Sequence, residues 1–306
     1  MKRLRFALEV AAVRMLLAAV RVVPRRALLA TGSAIGTLWY LLDARHRRVA
    51  TENLHRAFGD ALPDREVRRI VRACWRHYGR TLLDTLSFGE LSYAAVGTRV
   101  RYRGLEHIRG AYASGRGVLL FSAHYGHWEL VAMMQGLLGM PLTMVTRPLD
   151  NPELERVLGA LRSRSGNTIL HRRSAVREIV ATLRRGGGVA ILIDQDAHGA
   201  GVFVPFFDVP ASTTPTLALL ALRTGAAVVP VFSVPQPDGT YDVVYEPEVD
   251  VRATDDRAAD VRRITAECTG IVERWVRAHP ELWLWMHRRW KTAQPAEPSR
   301  GENHAA

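Results

Sequence analysis

The chain has 306 residues, 48% hydrophobic and 24% charged, a balance that excludes wholesale disorder, collagen and low-complexity sequence. At about 100–200 residues per domain, this length holds one large domain or two small ones, with core enough to fold without staples. Two cysteines, Cys74 and Cys268, exclude a disulfide framework and a four-cysteine zinc site, and point to a reducing compartment.

Lys+Arg is 42 against Asp+Glu 30, a net charge of +12, and only Lys2 and Lys291 are lysine. Such a chain suits nucleic acid, an anionic membrane or an acidic protein partner. Residues 1–50 hold ten basic side chains against two acidic ones, so +8 of the +12 belongs to the N-terminus and +4 to all the rest. A nucleic-acid-binding protein would spread its basic face across the folded domain. With no helix-turn-helix or RNA-binding signature either, nucleic acid is not an expected partner.

Met1–Val23 has a basic start and an apolar body, but Arg14 and Arg21 interrupt it and no small-x-small cleavage site follows, so a cleaved signal is not expected. At about 100° per residue, Arg3, Arg14, Arg21 and Arg25 fall within about a 40° arc of one helix. Phe6, Val10, Val13, Leu16, Leu17, Val20 and Val23 make up the rest. An apolar cylinder with one arginine stripe is the pattern of a helix lying in a membrane interface; the alternative is a core helix with a solvated face. Ala27–Leu42 is uncharged and contains Gly32-x-x-x-Gly36. It is shorter than the roughly 20 residues of a bilayer span, so a second interfacial helix is expected, with Arg45, Arg47 and Arg48 meeting anionic headgroups. The alternative is a buried helix with a basic cap.

Residues 51–93 read as helices, one starting at Pro63 with Val67, Ile70, Val71, Cys74 and Trp75 at helical spacing. Beyond residue 99, apolar runs at Gly117–Ala123, Leu142–Thr146, Thr168–Leu170, Val189–Asp194, Ala227–Val234 and Tyr241–Tyr245 read as strands. Helices are expected at His127–Leu138, Pro152–Arg164, Ser174–Arg185, Thr214–Arg223 and Arg257–Ala278. This alternation indicates an α/β fold with a mostly parallel sheet flanked by helices. The expected organisation is a membrane-associated segment over 1–48, an α/β domain over 49–292 and a disordered tail over 293–306.

The chemistry concentrates in three blocks. The strand ending at Ser122 runs straight into His124, and ligands bind α/β sheets at the carboxyl ends of strands. Glu129 follows five residues on, in the first turn of the next helix, where its carboxylate can fold back onto the imidazole. A carboxylate on one ring nitrogen fixes the tautomer and supports the imidazolium formed when the other takes a proton. No Gly-x-Ser-x-Gly elbow supplies a nucleophile. The pair is therefore suited to deprotonating a substrate hydroxyl that attacks an activated acyl group; the alternative is a solvated histidine beside a helix cap. His127 adds a further nitrogen, but with no second ligand cluster downstream a metal is not expected. Asp194 and Asp196 leave the end of a buried strand in a loop expected beside His124, or serve only to cap that loop. Arg147 directly follows a strand and Arg162 lies further along; arginines there read as phosphate ligands or as ion-pair partners of the aspartates.

In this order, the blocks resemble the late acyltransferases of lipid A biosynthesis, within the wider lysophospholipid acyltransferase group. The resemblance rests on Arg48-x4-Asn53-Leu54 with Phe58, His124-x4-Glu129, Arg147-Pro-x-Asp150-Asn-Pro, Asp194-Gln-Asp196, Val202-Phe-Val-Pro-Phe-Phe207 and the stretch Pro280–Thr292. It implies that His124 and Glu129 are the catalytic pair and that Arg162 and Asp194 match functionally important positions, giving Arg147, Arg162, Asp194 and Asp196 as candidate substrate-binding residues. It implies an α/β domain with N-terminal helices on the cytoplasmic face of the inner membrane, no bound cofactor, and a lipid A precursor as acceptor. The implied donor is an acyl thioester, on acyl carrier protein or on coenzyme A. The carrier protein is acidic, and Arg288, Arg289 and Lys291 either meet it or anchor the C-terminus. The alternative acceptor is a lysophospholipid or another membrane glycolipid, such as a phosphatidylinositol mannoside.

Overall fold

The structure, a computed structural model, describes residues 2–88, 97–146, 148–171 and 175–295. Four helices come first: α1 (Lys2–Val22), α2 (Arg25–Leu42), α3 (Ala44–Phe58) and α4 (Asp64–Phe88). The α/β part follows as β1 (Val100–Arg103), α5 (Leu105–Ala113), β2 (Val118–Ser122), α6 (Trp128–Leu137), β3 (Leu142–Thr146), α7 (Pro152–Ser163), β4 (Thr168–His171), α8 (Ala175–Arg184) and β5 (Gly188–Leu192). It continues with β6 (Val202–Phe206), β7 (Val209–Thr213), α9 (Thr216–Thr224), β8 (Ala227–Pro235), β9 (Tyr241–Tyr245) and α10 (Arg257–Ala278).

Seven strands form one sheet in the order β1-β9-β8-β2-β5-β3-β4, and β6 and β7 pair as a separate antiparallel hairpin. All neighbours in the large sheet are parallel except β8 and β9. Side chains alternate across a strand, so Val118 and Leu120 of β2 enter one core with α5 and α6, while Leu119 and Phe121 enter the other with α3, α4, α8 and α10. Burial on both faces explains why the central strands read as continuous apolar runs.

The N-terminal helices are tied to this body. Gly32 and Gly36 of α2 lie against Gly79 and the Trp75 carbonyl of α4 so closely that a Cβ on Gly36 would sit 2.2 Å from that oxygen. The Gly-x-x-x-Gly spacing thus serves a backbone-to-backbone helix contact. The buried Asp84 carboxylate accepts from Arg25 Nη2 at 2.9 Å and from the Tyr241 hydroxyl at 2.6 Å, fastening α2 to α4 and β9. Helix α1 lays Leu16, Leu17 and Val20 against Leu83 and Leu86 of α4 and Leu158 and Leu161 of α7. Helix α3 runs uninterrupted through residue 48.

Two arginines of the expected stripe make ion pairs with the body: Arg25, largely covered, pairs with the buried Asp84, and the exposed Arg14 reaches Glu153 at 2.8 Å. Helix α1 also exposes Leu4, Leu8, Met15 and Val22 beside Arg5 and Arg14, joined by Leu38, Leu41 and Leu42 of α2. No single helix among the described residues is long and apolar enough to cross a membrane; α2 and the segment Ala44–Ala61 pass that test only together, across a 91° bend. Most of the expected tail, 296–306, lies outside the described residues, as do 89–93 and the start of the helix expected at Ser174.

Candidate active site

Strands β2 and β5 are neighbours, with Ser122 opposite Leu192. The loops leaving their carboxyl ends emerge side by side, and they bring together two residues seventy positions apart. His124 Nδ1 lies 2.9 Å from Asp194 Oδ1, and the His124 backbone N–H donates to Asp194 Oδ2 at 2.9 Å. Trp283 Nε1–H adds a third bond to Oδ2 at 2.8 Å. The Asp194 side chain is 1% exposed and that of His124 20%. His124 Nε2 makes no hydrogen bond to any described residue, so the imidazole is held from behind and open in front. The Trp128 ring packs edge-on to it at 5.3 Å. The His124 carbonyl accepts from the Tyr78 hydroxyl at 2.6 Å and from the Leu284 amide at 3.0 Å.

The electrostatics follow from this geometry. Burial opposes charge on the His124 ring, yet the Asp194 carboxylate and, further off, Glu129 raise its pKa above the ordinary value. Burial likewise opposes ionisation of Asp194, but the imidazole and the hydrogen bonds hold it well below the usual carboxylate range. Asp194 is thus an anion, and Nδ1 keeps its proton toward it, leaving the Nε2 lone pair available.

Glu129 does not complete this pair. It occupies the first turn of α6, as expected, but its carboxylate turns to the last turn of α7, where Arg162 Nε and Nη2 grip it at 3.1 and 2.7 Å. A bidentate guanidinium fork is the stronger partner for a carboxylate. The expected folding-back of Glu129 onto His124 is corrected accordingly: the carboxylate on the imidazole is Asp194. Glu129 and Arg162 line a mostly apolar cavity with Leu130, Met133, Met144 and Leu161.

The other candidates have different places. Asp196 accepts from the Thr292 amide and hydroxyl at 3.3 and 3.0 Å, and its side chain is buried against His198. Its carboxylate therefore fastens the C-terminal segment. Arg147 lies outside the described residues. His127 Nδ1 caps α6 by accepting from the Leu130 amide at 3.1 Å. Arg289, one of three residues offered for an acidic partner, is fully buried and donates to the Ser212 carbonyl at 2.7 Å and to Thr213 Oγ1. It is an anchor of the β6–β7 hairpin, whereas Arg288 and Lys291 are exposed. Sequence reasoning assigned no role to Trp283 and Tyr78; the only signal for Trp283 was its place inside the Pro280–Thr292 stretch.

The described candidate nucleophiles Ser122, Cys74 and Cys268 are all buried. Burial pushes the Cys74 thiol up to about 12 and raises Cys268 further. Ser122 Oγ is buried with no hydrogen-bond partner among the described residues.

The molecule is therefore an α/β protein with an oriented histidine, partly exposed to solvent, at the carboxyl edge of its sheet. The model of the family described as bacterial lipid A biosynthesis acyltransferase matches residues 2–292. The chain is 30% identical over 272 residues to the lipid A biosynthesis lauroyltransferase of Escherichia coli (strain K12), covering 88% of this chain and 87% of the relative. It is 30% identical over 275 residues to the palmitoleoyltransferase of lipid A biosynthesis of the same strain, covering 88% and 86%. It is 25% identical over 228 residues to a phosphatidylinositol mannoside acyltransferase of Mycolicibacterium smegmatis, covering 72% of each. The chain belongs to the bacterial lipid A biosynthesis acyltransferase family.

Proposed function

We propose that this acyltransferase moves a fatty acyl chain from a thioester on acyl carrier protein to a hydroxyl of a lipid A precursor, with His124 as general base. One observation carries the reading: an imidazole bonded through Nδ1 to a buried carboxylate at 2.9 Å, with Nε2 open. His124 Nε2 takes the acceptor's hydroxyl proton as the oxygen attacks the thioester carbonyl. Asp194 stabilises the imidazolium. The tetrahedral intermediate collapses by breaking its C–S bond, and the imidazolium returns the proton to the leaving thiolate, giving ester and thiol. Glu129 holds Arg162 by Nε and Nη2, so that Nη1, which makes no hydrogen bond to a described residue, meets a phosphate of the acceptor. Arg147 is a second candidate for the same anion, and Arg288 and Lys291 for the acidic carrier protein.

The acceptor is tested in cells. Mass spectrometry of lipid A with and without the gene should differ by one acyl chain. Unchanged lipid A with an altered phospholipid or mannoside profile would favour the alternative acceptor and contradict this one.

Attachment to the cytoplasmic face of the inner membrane belongs to the same reading. The exposed apolar side chains of α1 and α2, next to the basic residues of the first fifty positions, suit burial in an anionic interface. Because α2 is packed into the body, deleting residues 1–48 would damage the fold. Leu8→Asp with Met15→Asp is the cleaner probe. The pair should release the protein from anionic vesicles at unchanged Tm, while high salt should only weaken the wild type's binding, since apolar burial is not screened. Full co-sedimentation of the double variant would place attachment elsewhere.

A further inference from the structure

We propose that Trp283 is a positioning residue: its indole N–H fixes the plane of the Asp194 carboxylate and so aims Oδ1 at the imidazole. This rests on the reading of His124 as base. Among the described residues, Asp194 Oδ2 accepts two bonds, from Trp283 Nε1 at 2.8 Å and from the His124 amide at 2.9 Å, while Oδ1 receives the imidazole alone, at 2.9 Å. With a single donor on Oδ2 the carboxylate could rotate about its Cβ–Cγ bond and present either oxygen at a poor angle. With two, its plane is set.

The indole cannot move to follow such a rotation. Trp283 is fully buried, its ring packed at 4.6 Å on Trp285 and 5.4 Å on Phe206. Its carbonyl accepts from Cys74 Sγ at 3.2 Å. The same segment is stitched to the histidine loop: Tyr125 and Trp283 form an antiparallel bridge, and the Gly126 amide donates to the Leu282 carbonyl at 2.9 Å. One short stretch thus grips both the loop that carries the base and the carboxylate that orients it. An apolar ring would fill this volume equally well. What the indole adds is a donor directed at a buried anion, and partners of this kind, one step removed from the reacting atoms, set the orientation of the groups they hold.

The test is to replace Trp283 by benzothienyl-alanine, which keeps the bicyclic shape and exchanges the N–H for sulfur, with Trp283→Phe as a second variant. One hydrogen bond to a charged group corresponds to a loss in kcat of about 10–100-fold. KM for both substrates should stay within about twofold of wild type, since neither substrate touches the indole. In an Asp194→Ala background the same replacement should cost nothing further in kcat, because no carboxylate remains to be aimed. Trp285→Phe removes a second buried indole N–H from the same segment, one that bonds the Pro280 carbonyl; it should lower Tm comparably and leave kcat within about threefold. Full kcat in the isostere, with His124→Ala inactive, overturns the role of Trp283 alone. So does an equal loss with and without Asp194. Full activity in His124→Ala overturns the base itself, and the positioning role with it.

Discussion

His124→Ala should lose about 10²–10⁴-fold in kcat, the range for a positioned general base, and the variant should remain folded. On the proposed mechanism the acceptor hydroxyl, a poor nucleophile at neutral pH, loses its proton to the imidazole as it attacks, and the described Ser122, Cys74 and Cys268 are buried. The fold survives because the interactions that seat Asp194 do not all depend on the ring: the backbone N–H of residue 124 and Trp283 Nε1 continue to hold the carboxylate. Steady-state kinetics beside a thermal melt separates the two effects. Near-wild-type kcat in a folded variant would remove His124 from the chemistry.

Asp194→Asn should lower kcat on a similar scale, and it should also move the pH profile in a defined direction. A general base works in its neutral form. Because His124 has a raised pKa, the acid limb of kcat/KM should lie above the ordinary histidine value of about 6.5. Activity should rise as pH increases through it. Removing the carboxylate removes the main charge that raises the imidazole's pKa, while burial, which lowers it, stays. The acid limb of the variant should therefore move to lower pH even as the plateau falls. Glu129→Gln should leave the limb closer to wild type, since its carboxylate acts on the imidazole only from a distance and spends its hydrogen bonds on Arg162. A limb that moves with Glu129 and not with Asp194 would reverse these two assignments.

Much of this architecture was legible in the chain because local chemistry decides it. Leu142–Thr146, Tyr241–Tyr245 and Arg257–Ala278 have in the structure the bounds their patterns predict. An apolar run closed by glycine or a polar turn, and an amphipathic stretch opened by a capping Asp256, leave little choice. Strand β1 was not legible: Val100-Arg-Tyr-Arg103 is four residues with two arginines, which pair with Asp242 of β9 only once the edge is built. The β6–β7 hairpin was hidden by Pro205 and Pro210, which signal a loop until they are seen opposite each other.

The site divides in the same way. His124, Arg162 and Asp194 could be nominated as residues, but their partnerships could not be assigned. Glu129 was paired with His124 because five residues separate them. Asp194 reaches the imidazole across seventy residues because β2 and β5 are adjacent, a fact of strand order that no local pattern carries. The partners of the expected arginine stripe were equally out of reach of local pattern: Arg14 and Arg25 pair with Glu153 and Asp84, far along the chain. The apolar side chains left outward are what now suggest a membrane surface.

In the proposed mechanism the acyl group passes directly to the acceptor hydroxyl, with the protein contributing a base and no covalent carrier. Intact-protein mass spectrometry of the enzyme mixed with acyl thioester in the absence of acceptor tests it most directly. An unmodified protein mass is expected, with product forming when acceptor is then added. A stoichiometric acyl adduct on enzyme that goes on to turn over would contradict it, and would direct the search for a nucleophile to Ser122, Cys74 and Cys268.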